Sequence, residues 1–453
     1  MPKELFGTDG IRGVPGKYPL DDATLFRAGQ ALGDFLHTDK SRAKPRVLIG
    51  MDTRESGPHI AGRIAQGLRT ASCEPVSAGI VTTPGVAWLV HAEGFAAGVV
   101  VSASHNPYSD NGVKLISSSG MKFPDEVEAK MEARILATEK SNSPVPPLIS
   151  DSLPAAKKLL DDYLNALRRA IFPDAKLTGM RIVLDCANGA ASELAPELFR
   201  SLGADAVAIF NNPDGRNINA GCGSLHPQAM QKKIRETHAS LGIAFDGDAD
   251  RAIFCSATGR VVDGDGVLFA AGRYLKSTGK LRGSAIVGTS MANLGLERAL
   301  DRDGLKLTRV PVGDRYVLEE MIRTGSNLGG EQSGHIIFLD DATTGDGMLT
   351  AVKIASLVSI AGPLDGLVAG LKIFPQTIVN VRVRSKPPLD SLPEVSRALA
   401  EAEKSLGGSG RVVLRYSGTE PLARVMVEAE RAEDVDRFSR SIAAALRSAI
   451  GAD

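Results

Sequence analysis

Three carboxylates stand at alternate positions in Asp246-Gly247-Asp248-Ala249-Asp250, directly after the apolar run Leu241 to Phe245. Three negative charges held this close are costly unless a cation neutralises them. A donor set made only of oxygen favours a hard ion, Mg²⁺ first, with Mn²⁺ or Ca²⁺ as substitutes. An EF-hand shares the alternation but needs glycine and glutamate where Arg251 and Ala257 stand, so that reading fails. Three carboxylates leave coordination places that Mg²⁺ commonly fills with water or substrate phosphate.

A second reactive group is Ser104, in Val99 to Lys114 (VVVSASHNPYSDNGVK). A small and β-branched run, Ala97 to Val101, reads as a buried strand that empties into Ser104-His105-Asn106-Pro107, and Asn111-Gly112 reads as a further sharp turn. A serine at the end of such a strand is where an α/β protein places a reactive group. No G-x-S-x-G elbow surrounds it, which disfavours acyl hydrolysis. Arg415-Tyr416-Ser417-Gly418-Thr419-Glu420-Pro421, with Arg424 beyond, offers guanidiniums, hydroxyls and exposed backbone amides. It suits a phosphate and lacks the lysine of a nucleotide P-loop. Gly329 to His335 (GGEQSGH) sets a carboxylate, a hydroxyl and an imidazole on flexible backbone, as in loops that read sugar hydroxyls. Near the start, Arg12 stands between glycines in FGTDGIRG, where it can be delivered to a phosphate. A serine, a hard-cation site, a phosphate cradle and a hydroxyl-reading loop together fit phosphoryl transfer to a sugar.

The elements that must position these groups alternate between strand and helix. Arg46 to Gly50 reads as a strand, His59 to Ser72 as a helix, then the Ser104 strand and a helix from Asp125 to Thr138. Residues 139 to 155 are rich in Pro and Ser and read as a linker. The cycle restarts with strands Arg181 to Asp185 and Leu241 to Phe245, and again near Arg260 with strand Ser284 to Gly288. After Pro363 the pattern becomes that of a smaller α+β domain. A chain of 453 residues is too long for one core, and roughly three or four domains are expected.

Composition narrows the partners. Lys plus Arg equals Asp plus Glu, at 53 each, so no global field calls for nucleic acid or an anionic membrane. No apolar run approaches a membrane span, and the start has no apolar signal core, so a cytoplasmic protein is expected. Cys73, Cys186, Cys222 and Cys255 are scattered and read as reduced thiols.

SASHNP, DGDADR, GEQSGH and RYSGTEP occur in the order, and at roughly the separations, of the α-D-phosphohexomutase superfamily, which this chain resembles over nearly its whole length. FGTDGIRG, PDGRNINAGCGS (Pro213 to Ser224), VGDRYV (Val312 to Val317) and Gln332 resemble the branch acting on glucosamine phosphates. The alternative is the phosphomannomutase/phosphoglucomutase branch.

The resemblance implies an α/β fold of three similar domains with mixed, mainly parallel sheets and a C-terminal α+β domain around a central active-site cleft. The expected domains are 1–154 with the phosphoserine loop, 155–256 with the metal loop, 257–370 with the sugar loop and 371–453 with the phosphate loop. It implies that Ser104 is carried as phosphoserine and that Ser104, Asp246, Asp248 and Asp250 hold one Mg²⁺. Arg12, His105, Lys114 and Arg251 then line the reaction centre. Glu331 and Ser333 read the sugar with His335 beside them. Arg415, Ser417, Gly418, Thr419 and Arg424 grip the non-reacting phosphate. The implied reaction interconverts glucosamine 6-phosphate and glucosamine 1-phosphate through glucosamine 1,6-bisphosphate, on the route to UDP-N-acetylglucosamine and peptidoglycan. The expected partner is a small sugar phosphate, with no nucleic acid and no membrane, and the resemblance leaves room for a homodimer.

Overall fold

A computed structural model describes residues 5–7, 9–37, 44–140, 145–148, 153–283, 285–417 and 421–452. The chain forms two compact units. The first runs up to Thr289 and resumes over Val310–Ala369; the second comprises Ser290–Arg309 and the chain from Gly370 onward.

In the first unit two five-stranded sheets share one plan. The first is ordered β1 (Ile11–Gly13), β5 (Asn111–Ser117), β4 (Ala97–Val101), β2 (Arg46–Met51), β3 (Glu74–Ile80). The second is ordered β10 (Val261–Val262), β9 (Ala252–Ser256), β8 (Leu241–Phe245), β6 (Arg181–Asp185), β7 (Asp205–Ile209). Each is mixed. β2 is parallel to β3 and β4, and β5 is antiparallel to β4 and β1. Likewise β6 is parallel to β7 and β8, and β9 is antiparallel to β8 and β10. The inner strands β4 and β8 are buried at every residue, as their unbroken apolar runs require. A third sheet repeats the inner part of the plan: β11 (Ala285–Thr289) is parallel to β13 (Leu328–Gly330), which is antiparallel to β14 (Ile336–Phe338). Strand β12 (Lys306–Val310) follows helix Leu294–Arg302 in the excursion that belongs mainly to the second unit.

The plan places the chemistry. The Ser104 loop joins β4 to β5, the aspartate loop joins β8 to β9, and the Glu331 loop joins β13 to β14. All three are turns from an inner strand to its antiparallel neighbour, at the carboxyl end of the parallel strands, where open α/β sheets hold ligands.

Two sequence expectations change here. Asn111-Gly112 is the start of β5 rather than a turn. The chain reverses earlier, and Gly112 is needed because a Cβ there would lie 2.7 Å from the Ser102 carbonyl oxygen. The described part of the 139–155 segment is also not a free linker. The helix from Asp125 runs to Lys140, the Pro146 and Pro147 carbonyls accept from buried Arg63 and Gln66 at 3.0 and 2.9 Å, and Ala155 bridges to Ser77. Ser284 lies outside the described residues.

The second unit carries the antiparallel sheet β15 (Gln376–Arg382), β17 (Leu422–Ala429), β16 (Gly410–Tyr416). Helices Pro393–Leu406 and Ala432–Ile450 supply Val395, Phe438, Ile442 and Leu446 to a core shared with Val425 and Val427 of β17. No helix among the described residues is long and apolar enough to cross a membrane.

Helices Asp22–Leu36 and Gly57–Thr70 touch backbone to backbone. A Cβ on Gly67 would lie 2.1 Å from the Phe26 carbonyl oxygen, and one on Gly29 would lie 2.2 Å from that of Ile64. Gly67→Ala must push these helices apart and is expected to destabilise the protein by about 1–3 kcal/mol. Urea unfolding checks this: an unchanged midpoint would show that the crossing is not this tight.

Candidate active site

Ser104 is buried and takes φ +51°, a left-handed conformation that serine seldom adopts. Such strain persists only where the surroundings fix it. Its amide donates to Ser102 Oγ at 2.9 Å, and Ser102 Oγ donates to Asp52 Oδ2 at 2.6 Å. The Ser104 and Asn106 carbonyls each accept twice, from Arg54 Nη2 at 3.0 and 2.9 Å and from Asn219 Nδ2 at 2.9 and 3.0 Å. Arg54 is itself paired with Asp52 at 3.0 Å, both side chains having no exposure at all. With its backbone so held, Ser104 donates from Oγ to Asp246 Oδ2 at 2.7 Å.

That contact brings the serine to the carboxylate cluster. Asp246, Asp248 and Asp250 each offer an oxygen within 4.8 Å of the others. Burial, followed by repulsion from Asp250 and Asp248, raises the Asp246 carboxyl well above the usual range. Burial also works against charge on Asp248, but Lys114 and Thr83 hold its carboxyl below that range. Lys114 Nζ and Thr83 Oγ1 donate to Asp248 Oδ2 at 2.9 and 2.6 Å. Asp248 Oδ1 and Asp250 Oδ1 are buried and accept no hydrogen bond among the described residues. Crowded carboxylates with unpartnered oxygens fit a hard divalent cation.

A buried ring of contacts braces this loop. Thr83 N donates to the Asp248 carbonyl at 3.0 Å, and neighbouring Thr82 Oγ1 donates to Tyr163 Oη at 3.2 Å. Tyr163 Oη donates to Asp346 Oδ2 at 2.8 Å. Asp346 caps helix Gly347–Ala361, whose first amide donates to the Ala249 carbonyl at 3.0 Å.

The other groups assigned by sequence to this unit gather around the cluster. Arg12 on β1 faces Gly112 of β5, two residues before Lys114. Lys114 is buried. Burial opposes its charge, but Asp248, Asp9 and Asp250 together raise its pKa and keep it protonated. Gly10 allows the approach, since its φ is +82° and a Cβ would lie 2.3 Å from the Val113 carbonyl oxygen. His105 Nδ1 lies 3.5 Å from Ser104 Oγ, and burial, with Arg251 and Arg12, lowers its pKa and favours the neutral ring. Arg251 lies 3.8 Å from Asp250. Glu331 accepts weakly from Gly313 N at 3.3 Å and Ser333 Oγ at 3.5 Å, which leaves it able to take stronger donors. His335 is buried, and its Nδ1 has no hydrogen-bond partner among the described residues.

In the second unit, the register sets Arg415 of β16 directly opposite Arg424 of β17. Like charges in that relation are unfavourable without an anion between them. Burial and then Arg424 lower the pKa of Arg415. Ser417 is buried, its amide donating to the Leu422 carbonyl at 2.8 Å and its own carbonyl accepting from Lys386 Nζ at 2.6 Å. Gly418 and Thr419 lie outside the described residues.

Models of the phosphoglucomutase/phosphomannomutase α/β/α domains I, II and III match residues 3–142, 161–259 and 263–373, and that of the C-terminal domain matches 378–445. The phosphoglucosamine mutase of Solibacter usitatus is 52% identical over 454 residues, covering 100% of both chains. The chain belongs to the phosphoglucomutase/phosphomannomutase family. The fold of this hexose-phosphate mutase is shared with a family protein from Burkholderia thailandensis, with a TM-score of 0.79 at 25% identity over 98% of this chain and 97% of that one. It is also shared with the Aspergillus fumigatus N-acetylphosphoglucosamine mutase solved with GlcNAc-6P and magnesium, with a TM-score of 0.68 at 19% identity over 99% and 96%.

Sequence reasoning gave no role to Arg54, Thr83, Asn219 or Lys386 of this family member. Arg54 lies between strand β2 and helix Gly57–Thr70, and Asn219 lies inside PDGRNINAGCGS, which the family resemblance marked as a stretch without giving Asn219 a role. What they hold, backbone carbonyls and a carboxylate far along the chain, has no local signature. Replacing Arg54 by Met leaves Asp52 buried without its cation and is expected to cost about 3–5 kcal/mol. Denaturant titration measures it, and a loss below about 1 kcal/mol would show that the pair contributes little.

Proposed function

We propose that this phosphohexomutase interconverts glucosamine 6-phosphate and glucosamine 1-phosphate in the cytoplasm, with Ser104 as the phosphoryl carrier. The observation that carries the reading is the contact of Ser104 Oγ with Asp246 at 2.7 Å, beside two further carboxylates and a protonated lysine. In the proposed cycle the phosphoryl group on Ser104 passes to the 1-hydroxyl of glucosamine 6-phosphate. The bond from phosphorus to Oγ breaks, one to the sugar oxygen forms, and a proton moves from the sugar hydroxyl to the leaving Oγ; the return step reverses that exchange, Oγ losing its proton and the sugar 6-oxygen gaining one. Glucosamine 1,6-bisphosphate then turns, and its 6-phosphoryl group returns to Ser104, leaving glucosamine 1-phosphate.

Each residue has a part in this reading. Asp246, Asp248 and Asp250, with an oxygen of phosphorylated Ser104, would hold Mg²⁺, which when bound neutralises charge on the transferring group. Lys114 stays protonated and, with Arg12, supplies positive charge at the centre. Neutral His105 and Arg251 complete its lining. Glu331 accepts from sugar hydroxyls, with Ser333 and His335 beside it. Arg415, Ser417, Gly418, Thr419 and Arg424 grip the phosphate that is not reacting, a part that the pairing of Arg415 with Arg424 across β16 and β17 supports. For function we divide the chain at 1–154, 155–256, 257–370 and 371–453. The product feeds UDP-N-acetylglucosamine synthesis and hence peptidoglycan.

A coupled mutase assay with Mg²⁺ tests the reading. kcat/KM for glucosamine 6-phosphate is expected to exceed that for glucose and mannose 6-phosphates by at least about tenfold. Ser104→Ala should lose nearly all turnover, together with the phosphoryl increment in intact mass. Full turnover in that variant sinks the phosphoserine cycle, and preference for a neutral hexose moves the enzyme to the other branch. Asp248→Asn, which removes one charged donor, should weaken Mg²⁺ binding by calorimetry at least about tenfold. An unchanged affinity would place the metal elsewhere.

A further inference from the structure

Lys122 has no part in the reading above, yet it stands at the centre of the most extended ion-pair chain near the site. The residues after β5 turn back on themselves: Ser117 N donates to the Met121 carbonyl at 2.8 Å, Gly120 takes φ +75°, and Lys122 bridges to Ile116. Lys122 thereby joins Lys114, Asp250, Asp314 and His335 in lining one cavity of about 330 Å³.

From there Nζ donates to Asp9 Oδ1 at 2.9 Å and pairs with Asp314 Oδ2 at 2.8 Å. The other Asp9 oxygen takes Arg12 Nη2 and lies 3.5 Å from Lys114 Nζ. One carboxylate is thus shared by three cations, two of which face the reaction centre. Asp314 is fixed at the first turn of helix Asp314–Thr324, where Arg315 N donates to its Oδ1 at 2.9 Å. The residue before it, Gly313, donates to Glu331. The chain Arg12–Asp9–Lys122–Asp314 therefore connects the phosphoryl-handling groups to the segment that touches the sugar-reading loop.

We infer that Lys122 is a positioning residue for phosphoryl transfer: it locks one oxygen of Asp9 so that the other sets Arg12 and Lys114, and it anchors that arrangement on Asp314. The inference rests on the reading that Arg12 and Lys114 line the reaction centre. Asp9 has two oxygens and three cationic partners. Without Lys122 it can rotate between Arg12 and Lys114, and neither keeps a fixed reference. Small displacements of such groups cost rate, because transfer requires the reacting atoms in line and close.

The test is steady-state kinetics on glucosamine 6-phosphate at saturating Mg²⁺ for Lys122→Met, Lys122→Arg, Asp314→Asn and Arg12→Ala, with thermal melting of each. Lys122→Met is expected to lower kcat by about 10- to 100-fold with KM changed by less than about threefold. Lys122→Arg should recover most of kcat, since a guanidinium can span two carboxylates. Asp314→Asn should lower kcat in the same direction with Lys122 intact, which keeps the test open if Lys122→Met does not fold. A normal kcat in both Lys122→Met and Asp314→Asn overturns the inference. So does a raised KM at normal kcat, which would make Lys122 a direct substrate ligand. Loss of turnover in Arg12→Ala alone refutes only the role of Lys122, whereas full turnover in Arg12→Ala refutes the reaction-centre reading beneath it.

Discussion

Asp246, Asp248 and Asp250 bring three carboxylates within 4.8 Å of one another in a place with little water to screen them, and much of the surrounding structure answers that repulsion. Lys114 and Thr83 are both spent on a single oxygen of Asp248. The Thr82–Tyr163–Asp346 chain ends on a helix amide that fixes the loop backbone at Ala249. Every partner is itself buried or helix-capping, so the loop backbone is held from several sides. The cost is concentrated on Asp246, whose carboxyl is pushed upward, and on two oxygens that accept no hydrogen bond among the described residues. Strain of this kind, held in place by so many contacts, is what a binding site for a cation requires.

The arrangement is economical because one structural plan is used three times. In each α/β sheet the candidate functional loop is the turn from an inner strand to its antiparallel neighbour. The residues differ completely: a serine in the first, aspartates in the second, a glutamate with a histidine in the third. The three sheets are thus alike in strand plan while their loops differ in residues. Strand burial constrains only apolar character, and the turns carry different chemistry.

Strands and motifs were legible because their signals are local. Ala97–Val101 and Leu241–Phe245 are unbroken apolar runs, and the structure bounds both as the sequence does. Ser104 and the three aspartates were legible from type and spacing. Arg54, Asn219 and Thr83 were not, because each acts on a group between 50 and 165 residues away. Lys122 is a lysine in a turn until Asp9 and Asp314, 113 and 192 residues distant along the chain (122 − 9 and 314 − 122), are seen beside it. Asn111-Gly112 misled for a related reason: the pair is a strong turn signal, but here the glycine admits the Ser102 carbonyl to a strand.

The double grip on the Ser104 and Asn106 carbonyls makes the proposed phosphoryl carrier a post rather than an arm. Arg54 and Asn219 pull on the same two oxygens, and moving the left-handed backbone between them would break these hydrogen bonds. A donor that cannot travel must have its cargo brought to it, first by one end and then by the other. In the proposed cycle the turning therefore falls to the sugar bisphosphate, while the backbone at Ser104 stays held by Arg54 and Asn219.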